Sequence, residues 1–423
     1  MKATHFINKL SFSRFNGFLI KLYYSKFSTQ IKIKNVRFKQ NLAVKRLKKK
    51  DSYEVVFFAL FDSIWKYEEL YKLLENDERF NATVVIIPHI LDNKVQMDTF
   101  NKALNYFTEN SYKTISPYNE KDNTWLDIKA LINPDIIFFT VPYAYTLKKY
   151  TIYNFQDKLT CYVPYAFMVG NEYELFFNSD FHNFVWKAYY ETSVHKKIGI
   201  KYAYNKGRNI EVTGFPGCDN FMTKTISSRK TKKIIWAPHH LMKEVTKQSN
   251  FLENYNLIFA ISEKYSDRIE LIFKPHPLLK QKLYSYPEWG KKRTDDYFNK
   301  IKESNNIVIE EGEYVDLFLS SDALIHDCGS FITEYIYTKK PSLFLLKNDN
   351  IINNWNDYGK EVMSVLYKGQ TDKDVFDFID DTVFNQNDYM KEKRLKFLEE
   401  VILPPNGNTA SCNIYKHLIN TID

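Results

Sequence analysis

Three short polar segments in the second half of the chain carry side chains that could bind phosphates or move protons. Each follows an apolar run: Pro238-His239-His240, Lys274-Pro275-His276-Pro277 and His326-Asp327-Cys328-Gly329-Ser330. An imidazole exchanges protons near neutral pH, and a lysine neutralises phosphate charge. In an open α/β sheet, ligands bind beyond the carboxyl ends of parallel strands. If each apolar run is a strand, the three segments converge on one edge of a sheet and form a candidate site there.

The spacing of the histidines indicates their roles. Pro275 and Pro277 have fixed φ angles, so they fix where the Lys274 and His276 side chains point. These two side chains suit phosphate neutralisation or proton transfer, and the alternative is an ordinary surface turn. Neighbouring residues rarely point the same way, so one of His239 and His240 is expected to face a ligand. A carboxylate or third ligand at metal-binding spacing is lacking, and no metal site is predicted.

The third segment joins a strand to a helix through small residues. Backbone N–H groups at a helix start favour an anion, Gly329 allows close backbone approach, and the Ser330 hydroxyl can cap the helix or donate to a phosphate. Glu334 lies one helical turn further on, where a carboxylate could accept hydrogen bonds from a ribose diol. Asp327 could orient a histidine or stabilise its own turn. The alternative is a capped helix with a glutamate facing solvent.

The elements that must position these residues alternate between apolar runs and amphipathic segments. Examples are the runs at 53–61, 133–142 and 159–165, and the helical spacing at 65–76. Such alternation is typical of parallel sheets covered on both faces by helices. A charged segment at 222–233 is predicted to link two such halves. The sequence therefore predicts an α/β fold with two Rossmann-like, doubly wound domains, at 51–225 and 226–423.

Residues 1–50 differ in composition from the rest of the chain. They hold 14 Lys and Arg and no acidic residue, whereas the other 373 residues hold 45 basic and 51 acidic side chains. A nucleic-acid-binding protein more often carries its basic patch on the folded domain, so nucleic acid is not predicted as a partner. The arm is rich in aromatic residues. It is interpreted as a membrane-surface arm, a disordered leader or a presequence, and these alternatives remain open.

Cysteine usage and hydropathy indicate the cellular compartment in which the protein is expected. The four cysteines lie far apart and without paired spacing, which argues against a disulfide framework and fits a reducing cytoplasm. An apolar run of about 18 residues is absent from the sequence, so a transmembrane helix is not predicted.

The order of these motifs resembles a known family. The segments "IIWAPHH", "IFKPHP" and "SSDALIHDCGSFITEYIYTKKPSLFL" are similar to those of the CDP-glycerol glycerophosphotransferases of teichoic-acid and capsule polysaccharide synthesis. The resemblance covers roughly residues 53–346. It implies a GT-B-like pair of Rossmann domains facing a central cleft, with an acceptor domain at 51–225 and a nucleotide-donor domain at 226–423.

The resemblance also implies an activity. Such a transferase moves glycerol phosphate, or a related polyol phosphate, from CDP-glycerol or CDP-ribitol to a polymeric or lipid-linked cell-envelope acceptor and releases CMP. Lys274 and His276 would face the donor phosphates, Gly329 and Ser330 would cradle the pyrophosphate, and Glu334 would lie near the ribose. The expected location is cytoplasmic and peripheral, at the inner face of the cell membrane, with residues 1–50 on the anionic surface. A cofactor is not implied, although Mg²⁺ held mainly by donor phosphates remains open.

One departure concerns the catalytic base. Teichoic-acid members carry a Trp-His-Gly segment in the first domain whose histidine is the expected base. Here the comparable segment, at 161–166, reads Cys-Tyr-Val-Pro-Tyr-Ala and contains no histidine. His239 or His240 could serve instead, so His276, His239 and His240 are the catalytic candidates.

Two other readings stay open at this stage. A GT-B glycosyltransferase of capsule or surface polysaccharide synthesis would keep the same pocket and use a nucleotide-sugar donor. A non-catalytic, basic membrane- or RNA-binding protein would depend on residues 1–50 and not on His276.

Overall fold

The computed structural model describes residues 28–224, 231–240, 242 and 249–423. Contacts divide the chain into two compact units. The N-terminal unit comprises Met1–Tyr165, Glu172–Pro216 and Ser411–Asp423, and the C-terminal unit comprises Ala166–Asn171 and Gly217–Ala410. The division after Pro216 lies nine residues before the predicted boundary at 225. Half of the predicted linker at 222–233, residues 225–230, lies outside the described residues.

The N-terminal unit contains a parallel sheet. The described strands of this unit, inside and outside that sheet, are β1 (Tyr53–Ala59), β2 (Phe80–Ile86), β3 (Ile90–Leu91), β4 (Lys94–Val95), β5 (Thr114–Ile115), β6 (Tyr118–Asn119), β7 (Thr124–Trp125), β8 (Ile136–Phe139), β9 (Leu159–Tyr162), β10 (Lys187–Tyr190) and β11 (Ile210–Val212). The order across the sheet is β11-β10-β9-β8-β1-β2-β5, and β3-β4 and β6-β7 are small antiparallel pairs. Strands β1 and β8 are neighbours from which the chain winds outward in opposite directions, so the topological switch point lies between them.

Helices cover this sheet. They are α1 (residues 28–47), α2 (Glu68–Glu75), α3 (Met97–Glu109), α4 (Ile128–Leu131), α5 (Tyr173–Phe176), α6 (Asp180–Phe184) and α7 (Ser193–Tyr202), with 3-10 turns at Lys148–Tyr150 and Ile152–Asn154. The central strands are largely apolar because helices cover both faces of the sheet. In β1, Glu54 is the one side chain that is not buried.

Helix α1 corrects the expectation for residues 1–50. Its buried side chains recur at spacings of three and four residues: Ile33, Val36, Gln40, Ala43 and Leu47. That period defines one face of a helix. Side chains on this face bind the N-terminal unit, since Gln40 Nε2 donates to the Phe184 carbonyl at 2.7 Å and Arg37 Nη1 to that of Trp186 at 2.9 Å. Residues 28–47 are therefore a packed helix, and the prediction of an arm for 1–27 falls outside the described residues.

The C-terminal unit contains a second parallel sheet. Its strands are β12 (Lys232–Ala237), β13 (Ile269–Phe273), β14 (Ile307–Ile309), β15 (Ala323–His326), β16 (Ser342–Leu345) and β17 (Tyr367–Gly369). Their order is β14-β13-β12-β15-β16-β17, which is the 3-2-1-4-5-6 order of a dinucleotide-binding fold. The topological switch point therefore lies between β12 and β15, which pair in parallel from Ile234–Ala323 to Ala237–His326.

Helices and short turns complete this unit. They are α8 (Asp219–Thr223), α9 (Phe251–Asn254), α10 (Leu257–Lys264), α11 (Leu279–Tyr284), α12 (Gly290–Lys302), α13 (Val315–Ser320), α14 (Phe331–Glu334), α15 (Asp357–Met363), α16 (Asp372–Asp377) and α17 (Lys391–Phe397), with 3-10 or π segments at Pro216–Cys218, Tyr335–Thr338, Asp349–Asn354, Phe378–Phe384, Leu398–Ile402 and Pro405–Gly407.

The last helix, α18 (Ala410–Ile422), belongs almost entirely to the N-terminal unit, although the sequence placed it in the second domain. Its buried Ile414, Leu418 and Ile422 recur every four residues and form its packed face. Asn413 Nδ2 also donates to the Thr213 carbonyl at 3.2 Å. This packing is long-range in sequence and explains why a linear division of the chain assigned the helix to the wrong half.

Each helix in the described part of the chain is too short or too polar to span a bilayer.

Candidate functional site

The three polar segments follow three adjacent strands of the C-terminal sheet. Residues 238–240 follow β12, residues 274–277 follow β13, and residues 327–330 follow β15. Strand β12 pairs with both of the others, so all three segments lie at the carboxyl edge, and two of them flank the switch point. This is the position where doubly wound sheets bind nucleotides. The predicted convergence of the strand ends is therefore seen in the structure.

The first two segments bring three imidazole rings together. Ring centres lie 4.4 Å apart for His239 and His240, 5.1 Å for His239 and His276, and 3.9 Å for His240 and His276. Only one of the neighbouring histidines was expected to face the site, so this contact corrects the sequence reasoning. The reason is that β12 ends at Ala237, and the alternation of side chains along a strand no longer applies at 239 and 240.

The imidazoles of His239 and His276 are held in their neutral form. Burial, with smaller contributions from His240 and His276, lowers the pKa of His239 to about 2. Burial and His240 lower the pKa of His276 to about 3. Nδ1 of His276 lies 3.1 Å from the backbone nitrogen of Leu278 and accepts its N–H. A neutral ring that accepts at Nδ1 carries its proton on Nε2, so His276 presents an N–H donor, which suits a phosphate oxygen.

Asp327 ties the segments together from beneath. Its carboxylate is fully buried and accepts two backbone N–H bonds, from His239 and from Asn250, each at 2.5 Å. Burial raises the pKa of this carboxyl to about 6, against the lowering effect of the two hydrogen bonds. The Ser249 hydroxyl donates to the His239 carbonyl at 2.7 Å, so both backbone groups of His239 are held. Of the two predicted roles for Asp327, the hydrogen bonds support positioning of the histidine turn.

Ser249 and Asn250 were not found by sequence reasoning. Asn250 reaches β16 as well, because its Nδ2 donates to the Leu345 carbonyl at 2.6 Å. A Ser-Asn pair in a loop carries no recognisable pattern. The contacts of Asn250 are with residues 77 and 95 positions away, which periodicity cannot reveal.

Lys274 lies at the site edge, but its amine has a protein partner. The side chain is 6% exposed, and Nζ donates to the Gly312 carbonyl at 2.6 Å. Burial lowers the pKa of this lysine, and the nearby Glu310, Glu313 and Glu311 act in the opposite direction. The lysine therefore lies beside an acidic loop. The ammonium group has two further N–H donors that could bond a donor phosphate.

Gly329 and Ser330 form the turn into α14. A Cβ built on Gly329 would meet only Val169 Cγ2 at 3.5 Å, an ordinary contact, so protein packing does not require glycine here. The Ser330 hydroxyl makes no side-chain cap to the helix, and it lies 3.0 Å from Cys328 Sγ. Both residues are half-buried at the carboxyl edge, which leaves the predicted role in anion binding as a prediction.

Glu334 is more enclosed than the sequence indicated. The residue is 2% exposed and faces Tyr314, whose hydroxyl donates to its carboxylate. Burial raises the pKa of Tyr314 well above its usual value, and the charge of Glu334 adds to this effect. The alternative of a solvent-facing glutamate is wrong, because the helix turns this residue toward buried aromatic side chains. Tyr314 is a further site residue that the sequence did not reveal.

The described residues offer one group that could hold a metal ion. The ligand nitrogens of His239, His240 and His276 lie within 4.8 Å of one another. Two ligands of tetrahedral Zn²⁺ at ordinary Zn–N distances are about 3.3 Å apart, so the rings would have to move closer. Imidazoles suit zinc, nickel or copper rather than Mg²⁺, which prefers oxygen ligands. Asp327 already accepts two backbone bonds, so Mg²⁺ at this site would depend on oxygens of the donor.

Several solved enzyme structures have the same fold. The wall teichoic acid polymerase TagF matches with a TM-score of 0.54 at 14% identity, covering 94% of this chain and 98% of that chain. The UDP-GlcNAc 2-epimerase of Neisseria meningitidis, bound to UDP-GlcNAc, matches at 0.55 and 16%, with coverages of 87% and 99%. Staphylococcus aureus MnaA with UDP matches at 0.53 and 15%, with coverages of 88% and 98%. At these identities the similarity establishes the fold, a GT-B-type pair of Rossmann-like units.

The sequence places the chain in a family. No curated protein sequence matches it. The family model described as "CDP-Glycerol:Poly(glycerophosphate) glycerophosphotransferase" matches residues 182–419, more than half of the chain and all eight predicted site residues. The chain belongs to the CDP-glycerol:poly(glycerophosphate) glycerophosphotransferase family and is a transferase of that type.

Proposed function

We propose that this transferase moves glycerol phosphate, or a related polyol phosphate, from a CDP-activated donor to a lipid-linked or polymeric cell-surface acceptor and releases CMP. The observation that carries the proposal is the imidazole cluster at the switch point of the C-terminal sheet, inside the region that matches the family. The donor nucleotide would occupy that switch point.

The reaction is a displacement at phosphorus. An acceptor hydroxyl oxygen attacks the distal phosphorus of the CDP-polyol, a new P–O bond forms, and the bond from that phosphorus to the bridging oxygen breaks. CMP leaves with the bridging oxygen and its electron pair, and the proton of the acceptor hydroxyl passes to a base. Catalysis of this kind depends on positioning and on neutralising charge that is spread over phosphate oxygens.

The proposed roles follow from the hydrogen bonds. His276 would donate from Nε2 to a diphosphate oxygen, because its Nδ1 is occupied by the Leu278 N–H. His239 or His240 would then accept the acceptor proton. Burial lowers the pKa of His239, so the negative charge of the bound donor would have to raise that pKa for His239 to act as a base. Asp327 holds the His239 backbone and acts through it as a positioning residue. Gly329 and Ser330 would contact the pyrophosphate, and Lys274 would bond it with its remaining N–H donors.

Glu334 is proposed to bind the ribose. Its carboxylate accepts from Tyr314, and a ribose diol would offer two further donors to the same oxygens. Hydrogen bonds from the ribose could replace the hydrogen bond from the Tyr314 hydroxyl, so the hydrogen bonds of Glu334 would change when the nucleoside binds. We further propose that the chain works at the inner face of the cell membrane on capsule or teichoic-acid polymers, since its acceptor would be attached to that membrane.

A donor panel tests this proposal. Thermal unfolding of the full chain would be recorded with CDP-glycerol, CDP-ribitol, CMP, UMP and UDP-sugars. Stabilisation by CMP and a CDP-polyol, weakened in both Ser330→Ala and Glu334→Gln, supports it. Lys282→Gln is the matched control, because this exposed residue lies on α11, outside the site.

The same panel separates the rival readings. Preference for uridine ligands would favour a nucleotide-sugar glycosyltransferase on the same fold. If every nucleotide failed to stabilise the folded protein, the proposed donor site would be wrong.

A further inference from the structure

The N-terminal unit contains a cavity of about 410 Å³ that the donor chemistry does not use. Its walls include Phe58 and Leu60 at the end of β1, and Phe139 through Thr146 after β8. Strands β1 and β8 flank the topological switch point of this sheet. The cavity therefore occupies the position where this fold class places ligands, and its size falls in the usual range of small-molecule sites.

The walls of the cavity are apolar. They are formed mainly by aliphatic and aromatic side chains: Phe58, Leu60, Ile87, Phe139, Val141, Tyr150, Ile152 and Phe181. Lysine, arginine and histidine are absent from the described lining residues. A phosphate or nucleotide inside would be desolvated without a cation, which is unfavourable by several kcal/mol. The interior therefore suits an uncharged, apolar ligand.

Most polar groups of the wall already have protein partners. The Thr140 hydroxyl donates to the Phe58 carbonyl at 2.8 Å. The Asp180 carboxylate accepts from the Tyr153 hydroxyl at 2.7 Å. Thr146 is the exception: the residue is 9% exposed, and its Oγ1 is buried without a hydrogen-bond partner in the structure. This hydroxyl is buried away from the open volume, so a ligand in the cavity would find few polar groups to bond, whereas a nucleobase or a sugar would need several.

The rim of the cavity is apolar and exposed. Tyr145 is 49% exposed, Tyr153 50% and Leu175 45%, and all three line the opening. Lys148, three residues after Tyr145 in the sequence, is also exposed. Exposed aromatic and aliphatic side chains with a nearby lysine are typical of surfaces that meet a lipid interface. A chain leaving a bilayer could enter the cavity along this rim with little apolar surface exposed to water.

We propose that the cavity binds the hydrocarbon chain of an amphiphile. The chain lies among the apolar walls, and the head group stays at the rim. The source of the chain rests on the proposed function, because a lipid-linked acceptor and a bilayer lipid both carry such a chain. Binding of one acceptor chain would keep the growing polymer end attached to the enzyme.

Binding of cis-parinaric acid, a fluorescent 18-carbon fatty acid, tests the cavity directly. The full chain should bind about one molecule, saturably. Thr146→Trp fills the cavity and should weaken binding at least tenfold. Thr146→Val keeps the shape of the side chain and the apolar walls, so it should bind the probe as the unchanged protein does, because the hydroxyl is buried away from the cavity. Thr108→Trp is the matched control, because this exposed residue of α3 does not line the cavity, and its binding should equal that of the unchanged protein.

Circular dichroism and thermal unfolding establish that each variant is folded. If Thr146→Trp fails to fold, Ala144→Trp at the exposed mouth replaces it with the same expected loss. Absence of saturable binding overturns the proposal. Equal binding by the unchanged protein and a folded cavity-filled variant also overturns it.

Competition identifies the source of the chain. Displacement of the probe by a polyprenyl phosphate, and not by phosphatidylglycerol, indicates an acceptor lipid, and the reverse indicates a bilayer lipid. Stabilisation by CDP-glycerol is measured on the same variants and should not change. If parinaric acid binds but CDP-glycerol does not stabilise the protein, the cavity stands and the proposed function fails. If CDP-glycerol stabilises the protein but parinaric acid does not bind, the proposed function stands and the cavity proposal fails.

Discussion

Replacement of Asp327 tests how the candidate site is held together. Its buried carboxylate accepts the backbone N–H groups of His239 and Asn250, each at 2.5 Å. Asp327→Ala removes both acceptors, whereas Asp327→Asn keeps one oxygen. A buried backbone donor that loses its partner costs about 1–3 kcal/mol. The Asn variant should therefore be more stable than the Ala variant by about that amount.

The charge of Asp327 adds a pH dependence. Burial raises its pKa to about 6 from the ordinary 3.8, which corresponds to a cost of about 3 kcal/mol for the ionised form. Between these two values the folded state binds more protons than the unfolded state, so this group destabilises the fold as the pH rises. Relative to Asp327→Asn, the unchanged protein should gain about 1.4 kcal/mol between pH 8 and pH 5.

Urea unfolding followed by tryptophan fluorescence measures both effects. Trp236, Trp289 and Trp355 lie in the C-terminal unit and report its transition. The comparison of Ala with Asn cancels the charge effect, because both variants lack the charge. Equal stability of the two variants would refute the assignment of the carboxylate as acceptor for both backbone groups. A difference between Asn and the unchanged protein that does not vary with pH would refute the buried-charge reasoning.

Two further predictions concern ionisable groups of the C-terminal unit. Folded His239 and His276 have pKa values of about 2 and 3, so between these values and 6.5 the unfolded state binds more protons and stability falls as the pH decreases. His276→Gln should reduce that slope, in urea unfolding between pH 6.5 and pH 5, by up to about 1.4 kcal/mol per pH unit, and an unchanged slope would contradict the depressed pKa. Arg394 is fully buried and pairs with Asp388 at 2.5 Å, so Arg394→Met should destabilise this unit by about 3–5 kcal/mol. Additional replacement of Asp388 by Asn should recover part of that loss, and no recovery would show that the pair is not the cause.

The strand ends were predictable because their signal is local. An apolar run followed by polar and small residues marks the end of a buried strand, and parallel strands end at one edge. This pattern predicts that His276, Asp327 and Ser330 lie at one edge of the sheet. It could not place Asn250 or Tyr314, because their contacts come from chain segments whose sequence has no distinctive pattern.

Other differences arise from tertiary packing. The sequence predicts that the residues of helix α1 belong to a basic arm, because lysines dominate their composition. The apolar residues that bury it recur only every third or fourth position. The His239–His240 contact depends on how the backbone turns after β12, which composition does not encode. The apolar cavity was also not predicted, because its wall comes from residues spread between 58 and 181.

The most direct test of the central claim is the release of CMP from CDP-glycerol by the full chain, supplied with membranes that contain a polymer acceptor. The account predicts CMP and incorporated glycerol phosphate in equal amounts. It also predicts that His276→Gln reduces the rate at least tenfold while Lys282→Gln leaves it unchanged. Turnover of a UDP-sugar without CMP from CDP-glycerol, or full activity of His276→Gln, would contradict it.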